Sequence, residues 1–212
     1  ELTPTDLEGL AGNADVKIQG DVGGQVYYLA LNQKKAELAN PKVQEAMRWA
    51  IDYTGMQDSI LKGLWVVHQT FLPKGFLGSI DENPYSLDIE KAKALMAESG
   101  LTLPIEIGFT VRNNQERMDI ATSIQNTFAQ IGINLVMDVG DGKQGLETYR
   151  GRKHDITLQT WGPDYPDPHT NASTFAMNPD NSDEANATGY LAWRTAWDPG
   201  AELNAETAAA VE

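Results

Sequence analysis

Three short runs decide the fold: Ile105-Glu106-Ile107-Gly108-Phe109-Thr110-Val111, Ile133-Asn134-Leu135-Val136-Met137-Asp138-Val139, and Asp155-Ile156-Thr157-Leu158-Gln159-Thr160. Each is rich in β-branched residues and has the length of a strand. Between the first and second, Met118, Ala121, Ile124, Phe128 and Ile131 recur at helical spacing from Gln115 onward. A second helical segment separates the second run from the third. This β-α-β-α-β order with short connections predicts right-handed crossovers and a mainly parallel sheet flanked by helices, an α/β fold.

Working outward, Asn40 and Pro41 supply a cap and a first-turn proline for a helix to about Tyr53, with Val43, Met47, Ala50 and Ile51 on one face. Thr54 with Gln57 has the spacing of a capping box opening a shorter helix towards Leu61. Asp88 can cap a helix through Ser99 whose inward residues are Ala92, Leu95 and Met96. Gly63, Gly100, Gly132 and Gly151 each follow a periodic segment, where a residue at positive φ closes a helix. Two more strands are expected, at Val16 to Gln19 and Val26 to Asn32. The stretches Leu64 to Asp88 and Gly162 to Gly200 are proline-rich and irregular, and loops that long usually touch a ligand or another domain.

Composition narrows the classes of function. A chain of 212 residues with 41% hydrophobic residues can bury a substantial core. Thirty acidic against 16 basic residues give a net charge of −14, which repels phosphate backbones and anionic lipid, so nucleic acid and membrane surfaces are not expected partners. No run approaches the ~20 apolar residues of a spanning helix. With no cysteine, thiol nucleophiles and disulfides are excluded. His68, His154 and His169 lie far apart without metal-ligand spacing, no nucleophile elbow is present, and Gly20-Asp21-Val22-Gly23-Gly24 and Gly140-Asp141-Gly142-Lys143 read as turns rather than phosphate loops. Neither an enzyme nor a cofactor or metal site is expected. The polar start at Glu1 and the helix-like, uncapped Ala205 to Glu212 both read as cuts in a longer protein.

In order along the chain stand Tyr28-Leu29-Ala30-Leu31-Asn32, the helix Val43-Gln44-Glu45-Ala46-Met47-Arg48-Trp49-Ala50-Ile51-Asp52, Leu61-Lys62-Gly63 before a proline-rich loop, and Tyr85. Then come Asp88, Glu90-Lys91-Ala92-Lys93-Ala94-Leu95-Met96, Gly100, Ile131-Gly132-Ile133, and Asp155 leading into Trp161 and Asp164. This succession resembles the peptide, opine and nickel class (family 5) of periplasmic solute-binding proteins that deliver cargo to ABC transporters, over nearly the whole chain. The resemblance implies a type II periplasmic-binding-protein fold in which residues 1–212 are a single C-terminal lobe, cut at both ends. Such proteins trap a small-molecule ligand between two lobes, so the implied partners are the ligand, a missing N-terminal lobe and a membrane permease.

The run Trp161-Gly162-Pro163-Asp164-Tyr165-Pro166-Asp167-Pro168 follows a strand directly, at the edge where open α/β sheets place ligands. In the peptide-binding relatives it resembles, a Trp followed three positions later by Asp presents the carboxylate to a ligand ammonium group, which assigns that role to Asp164. Trp161 reads either as an apolar wall or as a core anchor. Tyr165 and His169 are candidates for the cleft rim, and Asp167, between prolines, for shaping the loop. Asn32, ending a strand, is either a ligand donor or a turn starter. The expected function is capture of a short peptide or similar cationic or zwitterionic solute; the alternatives are a degenerate lobe serving protein interaction, or a peptide hydrolase.

Overall fold

The computed structural model describes residues 2–21 and 23–210. Its elements begin with α1 (Pro4–Leu10), β1 (Val26–Leu31), α2 (Ala36–Ala39), α3 (Pro41–Trp49), α4 (Tyr53–Asp58) and α5 (Ile89–Glu98). They continue with β2 (Ile105–Arg112), α6 (Gln115–Gln130), β3 (Ile133–Gly140), α7 (Gly142–Arg150) and β4 (Ile156–Trp161). Last come α8 (Pro168–Ala176), α9 (Leu191–Arg194) and α10 (Gly200–Ala209). The expected uncapped end at Val211 and Glu212, like Val22 in the first glycine-rich turn, lies outside the described residues.

The four strands form one sheet in the order β1-β4-β2-β3. The β2–β3 and β2–β4 pairs are parallel, as the crossover pattern requires, and β1 joins β4 antiparallel with Val26 opposite Trp161 and Leu31 opposite Ile156. One sheet face carries Ile107, Phe109, Val111, Ile133, Leu135, Ile156 and Leu158, and these pack against Val43 and Met47 of α3, Met96 of α5, and Ile120, Ile124 and Phe128 of α6. At roughly 1.5–3 kcal/mol for each fully buried large apolar side chain, this layer is the main favourable term. A smaller cluster on the opposite face joins Ala30, Tyr149 and Leu191 to Tyr28, Trp161 and Phe175. Strand β1 therefore feeds both clusters, Tyr27, Leu29 and Leu31 one way and Tyr28 and Ala30 the other.

Capping follows the sequence at Asn40 and Asp88, each of which accepts from an amide in the first turn of its helix, and Asn114 does the same for α6. The stretch 64–88 contains no helix or strand. Elsewhere the structure departs from expectation. Val16 to Gln19 is not a strand: among the described residues no strand pairs with it, Val16 N bonds Asn13 O in a turn, and Val16 and Ile18 stay exposed. Helix α4 is capped by Asp52, whose Oδ1 accepts from Gly55 N at 2.9 Å, not by Thr54, and the helix ends at Asp58. Gln57 instead accepts from Val67 N at 2.7 Å and tethers the start of the long arm. Gly63, Gly100 and Gly132 do have positive φ, but Gly151 does not. The left-handed residue there is Arg152, at φ 55°, held by hydrogen bonds from its guanidinium to Asn181 and Asp183. The 162–200 stretch contains α8, where Asp167 is the cap and Pro168 the first-turn proline; its Thr170, Asn171, Ser173 and Thr174 hide the helix from propensity.

His154 is 3% exposed, lies edge-on to Tyr149 at 4.9 Å, and has no hydrogen-bond partner at either ring nitrogen. Burial pushes its pKa down from 6.5 to about 4, against a weaker opposing pull from Asp155. Between those values the unfolded chain binds a proton that the folded chain refuses, so stability falls as pH drops from about 6.5 towards 4, by up to about 3 kcal/mol. His154→Phe keeps the ring contact and removes the titration. Melting curves from pH 7 to pH 4 should fall less steeply for the variant than for the parent, and parallel curves would assign the acid sensitivity to other groups.

Candidate ligand-binding site

Strands β2 and β4 are parallel neighbours, with Thr110 level with Thr157, so both release their chains at the same edge of the sheet. From β2 that edge receives Arg112; from β4 it receives Trp161 and the loop to Pro168. The root of this loop is anchored. Trp161 packs edge-on against Phe175 at 5.6 Å within the smaller cluster. Gly162 then passes so close to Gln25 that a Cβ would sit 2.7 Å from the Gln25 Cγ, which only glycine avoids without displacement. Pro163 closes over Gly24 beside Phe76 of the long arm, bringing three distant segments together at the loop.

Asp164 is exposed and makes no hydrogen bond or ion pair with any described residue, and Tyr165 beside it is 60% exposed. The task of satisfying backbone amides falls to Asp167, which accepts from His169 N at 2.7 Å and caps α8. His169 is half-buried on the first turn of α8, with Nδ1 enclosed and unpartnered. Asn32 does not join this group. Its side-chain amide donates to the carbonyls of Arg152 (2.9 Å) and His154 (2.8 Å), while its Oδ1 accepts from Lys34 N at 3.1 Å. Both amide hydrogens are thus engaged within the fold, and the bonds from Lys34 N to Asn32 Oδ1 and from Lys35 N to Asn32 O fit the turn-starter reading rather than the ligand-donor one.

Two arginines escaped the sequence reading. A polar recess of about 180 Å3 at the strand ends is lined by Thr110, Arg112, Arg117, Gln159, Thr160 and Gly142. Arg117 is 8% exposed; it donates to Leu158 O at 3.0 Å and to Thr160 Oγ1 at 2.8 Å, and its guanidinium lies 5.3 Å from the centre of the Tyr27 ring. Among the described residues no carboxylate lies within ion-pair distance of Arg117 or Arg112. Arg112 lies across Gly142, where a Cβ would stand 3.0 Å from its Nε. A recess with two uncompensated cations suits an anionic group. The available signal was positional: Arg112 ends a strand at the ligand-bearing edge, and Arg117 follows within a turn of the next helix.

Residues 1–183 match the family model described as bacterial extracellular solute-binding proteins, family 5 Middle. The dipeptide-binding protein of Escherichia coli K12 is 26% identical over 177 residues, covering 78% of this chain and 32% of that protein. The nickel-binding periplasmic protein of the same organism is 30% identical over 165 residues, 70% of this chain and 31% of the relative. Among solved structures, the periplasmic binding protein DppA from Helicobacter pylori in complex with the peptide STSA superposes with a TM-score of 0.84 at 21% identity, covering 97% of this chain and 39% of that one. The chain thus spans about a third of the length of these curated relatives, whose names denote binding.

The role of Asn32 is open to a direct check. Asn32→Ala leaves two buried carbonyls without their donor, so the free energy of unfolding should fall by about 1–3 kcal/mol in urea titration. A loss below about 0.5 kcal/mol would show that solvent or a neighbour takes over those bonds.

Proposed function

The chain belongs to family 5 of the bacterial extracellular solute-binding proteins, and from that premise we propose that it is the ligand-facing C-terminal lobe of the substrate-binding component of an ABC importer. Its cargo is a short peptide or similar zwitterionic solute, held in the periplasm between this lobe and an N-terminal one and passed to a membrane permease without any bond being made or broken. The observation that carries this reading is the loop after β4, rigid at Trp161 and carrying an exposed, unengaged carboxylate at Asp164. On the same edge the recess beside Arg112 offers the opposite charge. An ammonium at Asp164 and a carboxylate towards Arg112 match the two ends of a peptide. Lobe closure would exclude water and strengthen both contacts, and the ligand would shift an open–closed equilibrium by its preference for the closed form. Trp161, half-buried against Phe175, supports the loop from below, while Tyr165 and His169 border the cleft.

Asp164→Asn preserves shape and removes charge. In the two-lobed protein, calorimetric titration with a dipeptide should show an affinity loss of about 2–5 kcal/mol, with the unliganded melting temperature almost unchanged. Arg112→Gln should weaken binding of a free-carboxylate peptide and leave its C-terminal amide little affected. Unchanged affinity together with a lowered melting temperature for Asp164→Asn would make the residue part of the fold and end the amine-recognition reading. The 212-residue chain alone presents Asp164 to solvent, where an ion pair contributes only about 0–1 kcal/mol, so its binding should be far weaker than that of the two-lobed protein.

A further inference from the structure

The sequence holds two Asn-x-Ser/Thr triplets, Asn171-Ala172-Ser173 and Asn186-Ala187-Thr188, the acceptor pattern for attaching a glycan to an asparagine amide in an exported protein. The fold treats them oppositely. Asn171 lies inside α8 at 0% exposure and spends its Nδ2 on Phe71 O at 2.7 Å, so its amide is out of reach of any second protein. Asn186 is exposed, in a stretch from 177 to 190 that contains neither helix nor strand. That stretch is tied down on both sides of Asn186. Before it, Asn178 donates to Trp197 O at 2.8 Å, Asn181 to Ala196 O at 3.1 Å, and Trp193 Nε1 to Ser182 O at 2.8 Å, while Arg152 and Lys34 both pair with Asp183. After it, Arg194 Nε donates to Thr188 O at 2.7 Å.

From Asn178 to Asp183 every polar side chain serves the fold, Asp180 and Ser182 by accepting from the amides of Ser182 and Ala185. The next three polar side chains, Glu184, Asn186 and Thr188, make no hydrogen bond or ion pair with any described residue. Asn186 takes φ 45°, a left-handed turn conformation that asparagine tolerates, and the turn is closed by two main-chain bonds, Asn186 N to Asp183 O at 3.2 Å and Thr188 N to Asn186 O at 2.8 Å, so it opens locally at low cost. We propose that Asn186 is a glycosylation site, with Thr188 and Glu184, two residues to either side, as the contacts by which a bacterial oligosaccharyltransferase recognises it. The donor is an oligosaccharide on a polyprenyl pyrophosphate carrier. Asn186 Nδ2 attacks the anomeric carbon of the first sugar; the C–N bond forms as the C–O bond to pyrophosphate breaks, Nδ2 gives up one proton, and polyprenyl pyrophosphate departs with the bonding electrons. Because none of the three side chains is engaged, none has to be released from the fold before the transferase binds it. The family is bacterial and extracellular, the setting such a modification requires. Arg152, which holds this loop, precedes β4 and Asp164 follows it, so the glycan and the ligand loop belong to opposite ends of a strand about 20 Å long.

Incubation of the folded 212-residue chain with a bacterial oligosaccharyltransferase and its polyprenyl-pyrophosphate oligosaccharide, followed by intact-mass and peptide-mass measurement, tests this. A second protein that the same enzyme modifies serves as the positive control. One glycan per chain is expected, on Asn186 and not on Asn171. Thr188→Ala keeps the asparagine and its turn while removing the hydroxyl, and should lower occupancy at least about tenfold; Glu184→Gln should do the same, and Thr188→Ser should retain the glycan. Melting curves of the three variants should match the parent, which separates lost recognition from lost folding. An unmodified chain beside a modified control would overturn the proposal, as would a glycan on Asn171 in place of Asn186. So would unchanged occupancy in Thr188→Ala or Glu184→Gln, or modification of a synthetic 182–190 peptide but not of the folded chain, which would mean that the fold withholds the site.

Discussion

The antiparallel register of β1 on β4, pinned at the Asn32–Asp155 junction, is the constraint on which the remainder of the fold depends. The Asn32 amide donates to Asp155 O, its side chain clamps the carbonyls of Arg152 and His154, and the Asp155 carboxylate accepts from Gly108 N at 2.9 Å and from Lys35. A slip of one residue would turn Tyr27, Leu29 and Leu31 out of the main core and drive Tyr28 into it. The same junction ties β4 to β2, because a side chain on Gly108 would stand 3.2 Å from the Asp155 Oδ2. One node thereby fixes the end of β1, the start of β4 and the middle of β2 relative to one another.

Where the strands end determines what the lobe presents. β4 pairs with β2 at its first residues and with β1 along its whole length, so its last residues lie against β1, and the chain leaves the sheet at Trp161 opposite Val26. Burial at Trp161 and exposure at Asp164 divide the loop into a part that belongs to the fold and a part that faces outward. Arg112 reaches the same edge from β2, which gives one rim two signs of charge on a chain whose net charge is strongly negative.

The parallel core was legible because its signals are local and redundant: β-branched runs at Ile105, Ile133 and Ile156, a long amphipathic helix between the first two, and caps at Asn40 and Asp88 that behave as short polar residues before helices do. What escaped was set by distant partners. Val16 and Ile18 alternate like a strand but have none to join. Arg152 takes the left-handed conformation that Gly151 suggested for itself because Asn181 and Asp183, some thirty residues on, hold its guanidinium. Within the site, the Trp161–Pro168 loop was readable from its position after a strand, whereas the removal of Asn32 and the arrival of Arg117 depend on hydrogen bonds spanning 122 and 41 residues of chain.

The buried guanidinium of Arg117 has a thermodynamic consequence. By holding Leu158 O and Thr160 Oγ1, it immobilises the last residues of β4 before the loop during folding, when the cost is offset by core formation. On the proposed function, the entropy surrendered on ligand capture is then confined to the stretch between Pro163 and Pro166, itself stiffened by its prolines. The proposed ligand would thus meet a nearly finished surface, and more of each contact formed with it would be retained as affinity.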